Sequence, residues 1–555
     1  MSFHFEVFRS FQFDGELHAR VTSSSANDVA VITYNAVCSE GNNHSVSGNV
    51  NEAVVFEDLP PADYRVSAEI SFTTGKQAVT LEKTLSVHPE EKTRTLRAAL
   101  ANHPTLNQLA GRLPTINNSS KASLKGHLSL GTASRHTLCV MFEENGLEKL
   151  NLNMPPEVGR LFAQDTPPAF APVVRKREAL LARKGRGKVL QRFLNLYYLD
   201  SKLQGQNLLQ LATALEKIDY IEYCALMPSA TADDAEGAEV GETNILGTQT
   251  PDFEPLQLHL NAPSAEMKGL NIRKAWEKAR GRGMSLHVPE SNGVYPEHED
   301  LMGQMTVVTA YPDHFATSHA DAVTALIVAA DNQKGVTGIA CEAHAYTYTT
   351  YFDYYEILTI GDILEHYNPT DMVSMSFSRD GFMLLHQKPW WDFANTLKAA
   401  GGMVFIASGN NGKDILNDPG FADWGDSGGI AIGSCHNTTG RRYDTSSYNF
   451  HRMLNAWGTK AVVTAGFGDL FKNQENPSQN YTATFGQSSC ATPMTAASCA
   501  LVQSFVKERF NIFLDAKEMY DLVSASGHAD AEGEQIGIRP DAYEAMSILE
   551  TLLAR

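Results

Sequence analysis

Cysteine is scarce in this sequence of 555 residues: there are seven, an odd number, without paired spacing. Such usage fits reduced thiols better than a disulfide framework. Cys-x-x-Cys pairs and Gly-Lys-Ser/Thr phosphate loops are missing, and His298 is not followed by the second histidine of a zinc-protease helix. The common zinc, thiol-redox and P-loop chemistries are therefore excluded. No metal site is assigned, and we expect no cofactor.

Long apolar runs and a basic start are also lacking. No stretch reaches the roughly 18 uncharged apolar residues of a membrane helix, and the N-terminal segment lacks the features of a secretory signal. The net charge of −19 argues against a nucleic-acid partner, although short basic runs occur at 175–177 and 183–188. We therefore expect a cytoplasmic protein that binds neither membrane nor nucleic acid.

Hydrophobic residues make up 43% of the chain, which is ample for several cores, and the length favours about three or four domains. Residues 1–100 carry alternating apolar runs broken by Gly, Asn and Pro, a pattern that predicts a small antiparallel β-sandwich. Docking of a regulatory protein partner and a purely structural role both remain open for this domain. Residues 101–188 are expected to be a linker or irregular region.

The next segment, 189–228, has the pattern of a small α/β subdomain. An alternating run at 192–199 predicts a strand, 207–215 an amphipathic helix, and 218–228 a second strand. An acidic linker rich in Ala, Gly and Thr follows and extends to residue 262, a composition that suits flexibility or cleavage. The remaining residues, 263–555, are expected to form one doubly wound α/β domain.

Ser489 is the most informative residue of that large domain. It stands at the entrance to a small-residue-rich apolar helix, where backbone N–H groups without intrahelical acceptors can stabilise a developing oxyanion. An ordinary helix N-cap is the alternative interpretation. Three other polar residues favour a catalytic role, because each lies at a predicted strand end or helix start: Glu290, His319 and Asn410.

With these residues in place, the segment from about 263 to 510 resembles the catalytic domain of the subtilisin-like serine proteases, the subtilases. That family has the order Asp, His, Ser. Residues 489–493 fit the second half of its Gly-Thr-Ser-x-Ala-x-Pro motif. Ser408, Gly409 and Asn410 fit its Ala-Gly-Asn turn, and 374–377 is similar to its substrate-binding strand.

The resemblance implies a doubly wound parallel sheet and a serine endopeptidase that acts on protein or peptide substrates. Ser489 would be the nucleophile, His319 the general base, Glu290 the triad acid and Asn410 an oxyanion donor. The substrate would be bound by Ser376, Phe377, Ser378, Ser408 and Gly409. The α/β subdomain at 189–228 would correspond to the propeptide that assists folding and inhibits the enzyme, so that activation would require cleavage or a partner.

Two departures from the family pattern support an alternative, a catalytically impaired subtilase-fold protein that acts as a binding or regulatory module. Gln487 and Ser488 stand where the family has Gly-Thr before the serine, and Ala320 and Asp321 stand where it has Gly-Thr after the histidine. Both changes are expected to add bulk or charge near the cleft.

The position of the triad acid depends on the direction of counting. Counting along the strand puts Glu290 there, as in subtilases with Glu-x-Gly, whereas counting back from His298 puts Ser291 there. We prefer Glu290, because a one-residue bulge at a strand end is easily absorbed and a carboxylate can orient the histidine.

Overall fold

The computed structural model describes residues 3–10, 16–23, 28–38, 41–57, 59–60, 62–74, 76–87, 98–102, 125–130, 135–162, 169–228, 245–291, 293–309, 318–350, 355–379, 381–473, 476–529 and 533–553. Most of the acidic linker, 229–244, therefore lies outside the described residues. Three regions follow one another along the chain: an N-terminal β region, a small α/β region and a large α/β region.

Seven strands form the N-terminal region: β1 (His4–Ser10), β2 (Leu17–Thr22), β3 (Val29–Cys38), β4 (Asn43–Gly48), β5 (Ala53–Phe56), β6 (Ala62–Phe72) and β7 (Val79–Val87). One sheet has the order β4-β3-β6-β7, and the other contains β1-β2-β5, with antiparallel neighbours in both. Alternate residues of both sheets face one apolar core between them, which explains the period-two burial along β6.

The small α/β region comprises β8 (His136–Phe142), α1 (Gly146–Leu152), α2 (Pro156–Phe162), β9 (Ala169–Pro172), α3 (Arg177–Leu181), a 3₁₀ helix (Gly185–Asn195), β10 (Leu196–Asp200), α4 (Gly205–Leu215) and β11 (Ile221–Pro228). Its four strands form an antiparallel sheet in the order β11-β8-β10-β9. One face of this sheet packs against the region's own helices, and the other packs against the large domain.

Two expectations for this stretch are corrected. Residues 136–162 and 169–181, expected to be a linker or irregular, are strands and helices of the same sheet region. The strand expected to start at Arg192 starts at Leu196, because Gly185–Asn195 is a 3₁₀ helix. Leu190, Phe193 and Leu196 are buried and recur every three residues, which is the period of a 3₁₀ helix. Over so few residues this spacing is hard to distinguish from the alternation of a strand.

The large region contains all remaining elements: β12 (Ile245–Leu246), α5 (Ile272–Ala275), β13 (Ser285–Glu290), β14 (Met305–Val307), α6 (Ser318–Val328), β15 (His344–Thr349), α7 (Tyr355–His366), β16 (Met372–Met375), β17 (Ser378–Arg379), β18 (Phe382–Met383), α8 (Lys388–Ala399), β19 (Met403–Ala407), β20 (Ile430–Cys435), β21 (Met453–Trp457), β22 (Val462–Ala465), β23 (Phe471–Lys472), β24 (Tyr481–Phe485), α9 (Gln487–Phe510), β25 (Ile512–Phe513), α10 (Ala516–Ser526) and α11 (Ala542–Leu553). Short 3₁₀ turns occur at Glu254–Leu256, Leu258–Leu260, Leu384–His386 and Pro477–Gln479.

Seven of these strands form a parallel sheet in the order β14-β15-β13-β16-β19-β20-β21, which confirms the expected α/β class. Helices α6 and α9 share a core with one face of the sheet, and α7 and α8 share a core with the other. Strands covered in this way are buried on both faces, and their sequences are therefore nearly continuous apolar runs. The strand order reverses beside β13, and a crevice forms at the carboxyl ends of the strands at such a switch point.

The N-terminal region is tied to the opposite end of this sheet. Strand β1 pairs in parallel with β25, and Glu6 is buried against Lys507 of α9 at 2.6 Å and against Arg20 at 2.8 Å. Arg20 also reaches Asp371, which directly precedes β16. These contacts join the domains by a buried charge network and by shared backbone hydrogen bonds.

The seven cysteines all lie among the described residues, and each is buried and outside any disulfide. They act as small core residues. Within the described part of the chain, no helix combines the length and the apolar character that crossing a bilayer demands.

Candidate active site

Polar residues meet at the carboxyl edge of the parallel sheet. Glu290 is the last residue of β13, Asn410 lies in the loop just after β19, and Ser489 is in the first turn of α9. His319 is in the first turn of α6, a helix that packs against α9. Parallel strands present their carboxyl ends at the same edge, so Glu290 and Asn410, far apart in sequence, lie at the same edge of the sheet.

His319 and Glu290 form a hydrogen-bonded pair. The Nδ1 atom of His319 lies 2.9 Å from Oε2 of Glu290, whose side chain is buried, while the imidazole is partly exposed. The backbone of the acid is held by Thr350, whose N–H and Oγ1–H both donate to the Glu290 carbonyl, at 2.8 and 3.1 Å. Ser291, the other candidate for the acid, instead accepts a 3.4 Å hydrogen bond from Arg379.

Glu290 has one further feature that ordinary structural carboxylates avoid. Its second oxygen, Oε1, is buried and meets no hydrogen-bond donor among the residues that the structure describes. A buried acceptor without a donor costs about 1–3 kcal/mol. A buried group in this state needs an explanation, and a catalytic role is one of those that apply to a carboxylate beside a histidine.

The imidazole of His319 is held on its other side by an aromatic contact. Its ring meets that of Phe485 edge-on, with centroids 5.5 Å apart at 76°. Phe485 ends β24, four residues before Ser489, so the same segment that presents the serine also packs against the histidine. With Nδ1 bonded to the carboxylate, Nε2 is the nitrogen that must exchange any proton with a reacting group.

The start of α9 is shaped by close backbone approach. A Cβ at Gly486 would lie 2.8 Å from the Gly458 carbonyl oxygen, and that same carbonyl accepts the N–H of Gln487 at 2.7 Å. Four residues after Ser489 stands Pro493, which has no N–H to donate to the serine carbonyl. The carbonyl of Ser489 therefore lacks its usual helical N–H donor at position 493. The N–H of Ser489, in the first turn, has no intrahelical acceptor either.

Asn410 is oriented by the residue before the serine. Both the N–H and the Oγ–H of Ser488 donate to Oδ1 of Asn410, at 3.0 and 2.7 Å. Because two donors occupy the oxygen, the amide must present Nδ2 on its other side. This arrangement makes Asn410 a donor with a defined direction, as an oxyanion site requires.

The loop that carries Asn410 depends on glycine. Gly409 has φ +100°, a conformation that other residues rarely adopt, and its carbonyl accepts the Ser447 N–H at 3.0 Å. The Ser408 hydroxyl donates to the Ser447 carbonyl at 3.0 Å. The side-chain amide of the neighbouring Asn411 donates to the carbonyl of Gly381 at 2.6 Å. This hydrogen bond connects the loop to the turn between β17 and β18.

The residues expected to bind substrate differ in accessibility. Ser376 and Phe377 are only 1% and 7% exposed, and Ser408 and Gly409 are buried as well. Ser378 is half-buried. Of the five, Ser378 is therefore the one whose side chain reaches the surface to an appreciable extent.

The two departures after the histidine are buried residues. Ala320 is part of the hydrophobic core, and the buried carboxylate of Asp321 accepts the N–H of Tyr295 at 2.7 Å. The Asp321 carboxylate is thus bonded to the loop that follows β13. Gln487 adopts φ +63°, so it keeps a backbone conformation that glycine adopts without strain.

Other chemistries are disfavoured at this site. The Cys490 thiol is fully buried, and burial raises its pKa well above the usual value, which removes it as a nucleophile. Among the described residues, no group of three or more His, Cys, Asp or Glu side chains is placed to hold a metal ion.

Sequence reasoning missed three contributors: Thr350, Phe485 and Arg379. Their roles arise from contacts between distant segments and leave no local signal. Ser488 had such a signal, since it occupies the position before the serine in the motif.

Part of the chain is similar to a known protein family. Residues 289–526 match the model of the Subtilase family, Peptidase_S8. No curated protein matches the sequence.

Solved structures give alignments of low identity. Proteases from Pseudoalteromonas arctica are 19% identical over 54% of this chain and 100% of theirs, with a TM-score of 0.42. A serine protease of Aeromonas sobria is 18% identical over 58% of this chain and 71% of its own, with a TM-score of 0.41. A cold-adapted subtilisin-like serine proteinase is 16% identical over 47% and 89%, with a TM-score of 0.36.

Proposed function

We propose that this protein is a serine endopeptidase that hydrolyses peptide bonds through Ser489, His319 and Glu290, with Asn410 in the oxyanion hole. The observation that carries the proposal is the 2.9 Å contact between His319 Nδ1 and a buried carboxylate, at the sheet edge where α9 begins. The match of residues 289–526 to the Subtilase family supports the same reaction class.

The reaction follows from these groups. Ser489 Oγ attacks the scissile carbonyl carbon while His319 Nε2 takes the hydroxyl proton, and Glu290 stabilises the resulting imidazolium. The oxyanion accepts hydrogen bonds from Asn410 Nδ2 and from the Ser489 N–H. The imidazolium then protonates the leaving amine, and a water molecule activated by the same nitrogen hydrolyses the acyl-enzyme.

We also propose that residues 136–228 hold the enzyme inactive until the following linker is cut or a partner binds. Their sheet packs on α7 and α8, and Tyr223 of β11 donates to Asp392 of α8 at 3.3 Å. Strand β11 ends at Pro228, directly before the linker, so the sheet that packs on α7 and α8 is continuous with the segment that would be cut.

One observation favours the second candidate, a regulatory module without turnover. The segment expected to bind substrate exposes little surface at Ser376 and Phe377. A permanently closed cleft would leave the acid–histidine pair intact without allowing a substrate to bind, and binding partners would then meet other surfaces.

Labelling with a fluorophosphonate probe separates these candidates. After the linker is cut, we expect a label on the chain that Ser489→Ala abolishes and that Ser498→Ala preserves. Ser498 is a matched control because it lies in the same helix, buried, with its hydroxyl bonded to the Met494 carbonyl at 2.8 Å. Absence of Ser489-dependent label, both before and after limited proteolysis, would refute the peptidase proposal.

The triad acid is tested by Glu290→Gln. Loss of the carboxylate should lower kcat by about 10⁴-fold on a peptide substrate, because the imidazolium loses its counter-charge and the ring its fixed tautomer. Glu290→Asp keeps the charge but shortens the reach, so its activity should lie between those of the parent and Glu290→Gln. Equal activity of Glu290→Gln and the parent would show that another group orients His319.

The inhibitory role is tested by cutting the linker. A protease site inserted between residues 229 and 244 should allow label to appear only after cleavage. A chain that labels equally before and after the cut would contradict inhibition by the 136–228 region while leaving the peptidase proposal in place.

A further inference from the structure

Arg379 is a buried cation directly behind the proposed active site. It follows Ser378 at the end of β17, is only 3% exposed, and pairs with Glu356 of α7 at 2.7 Å. The other oxygen of Glu356 accepts the indole N–H of Trp390 at 2.9 Å. A buried guanidinium is costly unless its partners are in place, so this side chain is held in one position.

The remaining nitrogens of Arg379 donate three hydrogen bonds. Nη1 donates to the carbonyl of Ser378 at 3.2 Å and to the hydroxyl of Ser291, the residue after Glu290, at 3.4 Å. Nη2 donates at 3.3 Å to Oγ1 of Thr350, which directly follows β15. The same Thr350 hydroxyl donates to the Glu290 carbonyl at 3.1 Å. The single guanidinium group of Arg379 therefore contacts both Ser291, which follows the acid, and Thr350, which donates a hydrogen bond to the backbone carbonyl of the acid.

A glutamate needs such support more than an aspartate does. It has one more rotatable bond between backbone and carboxylate, and each rotamer-rich side chain costs free energy to immobilise. Fixing the backbone at Glu290 narrows the positions that its carboxylate can reach relative to His319. Arginine suits this task because its donors form a rigid fork, which lysine cannot reproduce.

We propose that Arg379 is a positioning residue for Glu290, acting through Ser291 and Thr350 on the backbone of the triad acid. The inference rests on the proposed peptidase function. Because Arg379 acts through the acid, its effect on the rate must depend on the presence of the Glu290 carboxylate. A residue that merely supports the fold would affect both backgrounds equally.

A mutant cycle tests this dependence with the full chain after its linker has been cut. Arg379→Met combined with Glu356→Gln neutralises the buried pair, so that no unpaired charge remains and the fold is preserved. We expect kcat to fall about 10–100-fold with little change in KM, as for a misplacement near 1 Å of a catalytic group. In the Glu290→Gln background the same pair of changes should lower the remaining rate by less than about threefold.

A second test variant and a control pair complete the experiment. Thr350→Val removes the bridging hydroxyl with little change in volume, and we expect it to show the same dependence on Glu290. The matched control neutralises another ion pair, Arg452 and Asp426, which are 2.8 Å apart and precede β21 and β20, at the sheet edge opposite Glu290. Arg452→Met with Asp426→Asn should leave kcat unchanged.

The outcomes divide clearly. Equal fold losses in the two backgrounds, or an unchanged kcat for both the Arg379 double variant and Thr350→Val, would overturn the positioning role. Should the Arg379 variant fail to fold, Thr350→Val alone decides the matter by the same comparison. A chain without Ser489-dependent label, both before and after the linker is cut, would overturn both this inference and the peptidase proposal. A labelled chain in which the loss of rate on changing Arg379 does not depend on Glu290 would overturn only this inference.

Discussion

Asp300 predicts a pH dependence of stability that can be worked out from its surroundings. The carboxyl is fully buried and accepts hydrogen bonds from the Val336 N–H and the Tyr481 hydroxyl, both at 2.9 Å, and from Asn332 at 3.0 Å. Burial raises its pKa from the usual 3.8 to about 6; these three bonds oppose the shift only in part, and nearby Glu299 adds to it. The protonated form is therefore the one that the fold favours.

The raised pKa of Asp300 fixes whether its contribution to stability grows or falls with pH. Below the unfolded pKa of 3.8 the carboxyl is protonated in both states, and its full contribution to stability is present. As the pH rises through about 6 that contribution is lost, because the folded state must then bury a charge. The total is about 3 kcal/mol, of which about 2 kcal/mol falls between pH 4.5 and 7.

The test substitution is Asp300→Asn, which keeps the shape of the side chain and removes its titratable carboxyl group. Parent and variant should both carry Ser489→Ala to prevent self-digestion, and urea unfolding is followed by the fluorescence of buried tryptophans such as Trp457. Relative to the parent, the unfolding free energy of Asp300→Asn should rise by about 2 kcal/mol from pH 4.5 to 7.

Other groups titrate in this range but do not affect the difference. Burial lowers the pKa of neighbouring His298 to about 4, which makes stability rise with pH in parent and variant alike. A free-energy difference between the two proteins that stays constant from pH 4.5 to 7 would refute the reasoning, because it would mean that Asp300 is ionised throughout.

Three further outcomes are expected. Ser488→Ala removes one of two donors that orient Asn410 and should lower kcat about fivefold at unchanged KM, measured on a peptide substrate; a change in KM alone would contradict this role. Glu6→Leu leaves Lys507 buried without its partner and should destabilise the chain by about 3–5 kcal/mol in urea unfolding, and a loss below about 1 kcal/mol would show the pair to be dispensable. Gln487→Gly should be at least as stable as the parent in thermal unfolding, whereas Gln487→Val should be about 1–2 kcal/mol less stable; the reverse order would exclude strain at this position.

The local elements around the site could be predicted because their signals are local. An apolar run that ends in an acid predicted the strand ending at Glu290, and alanine-rich runs predicted the helices that begin near His319 and Ser489. The segment before Leu196 was predicted wrongly, since a period of three and a period of two are hard to separate over a few residues. The elements between 136 and 181 were missed, because they are short and become stable only when packed in the shared sheet.

The choice between Glu290 and Ser291 shows where sequence reasoning stops. Two ways of counting placed different residues at the acid, and the difference is a single position along the chain. The structure separates them by direction, with one side chain bonded to His319 and the other to Arg379. Alternation along a strand turns successive side chains to opposite sides, so the fold decides which of two neighbours meets the histidine.

By itself, the sequence determined the residue types of the site, their order along the chain and the helix or strand on which each stands. These properties depend on local periodicity and on the chemistry of single side chains. Only the tertiary structure decided that Ser488 orients Asn410, that Asp321 accepts the Tyr295 N–H and that Arg379 contacts the residue after Glu290. Such contacts join segments that are distant in sequence, and their direction is set by packing of the whole sheet, which no local pattern records.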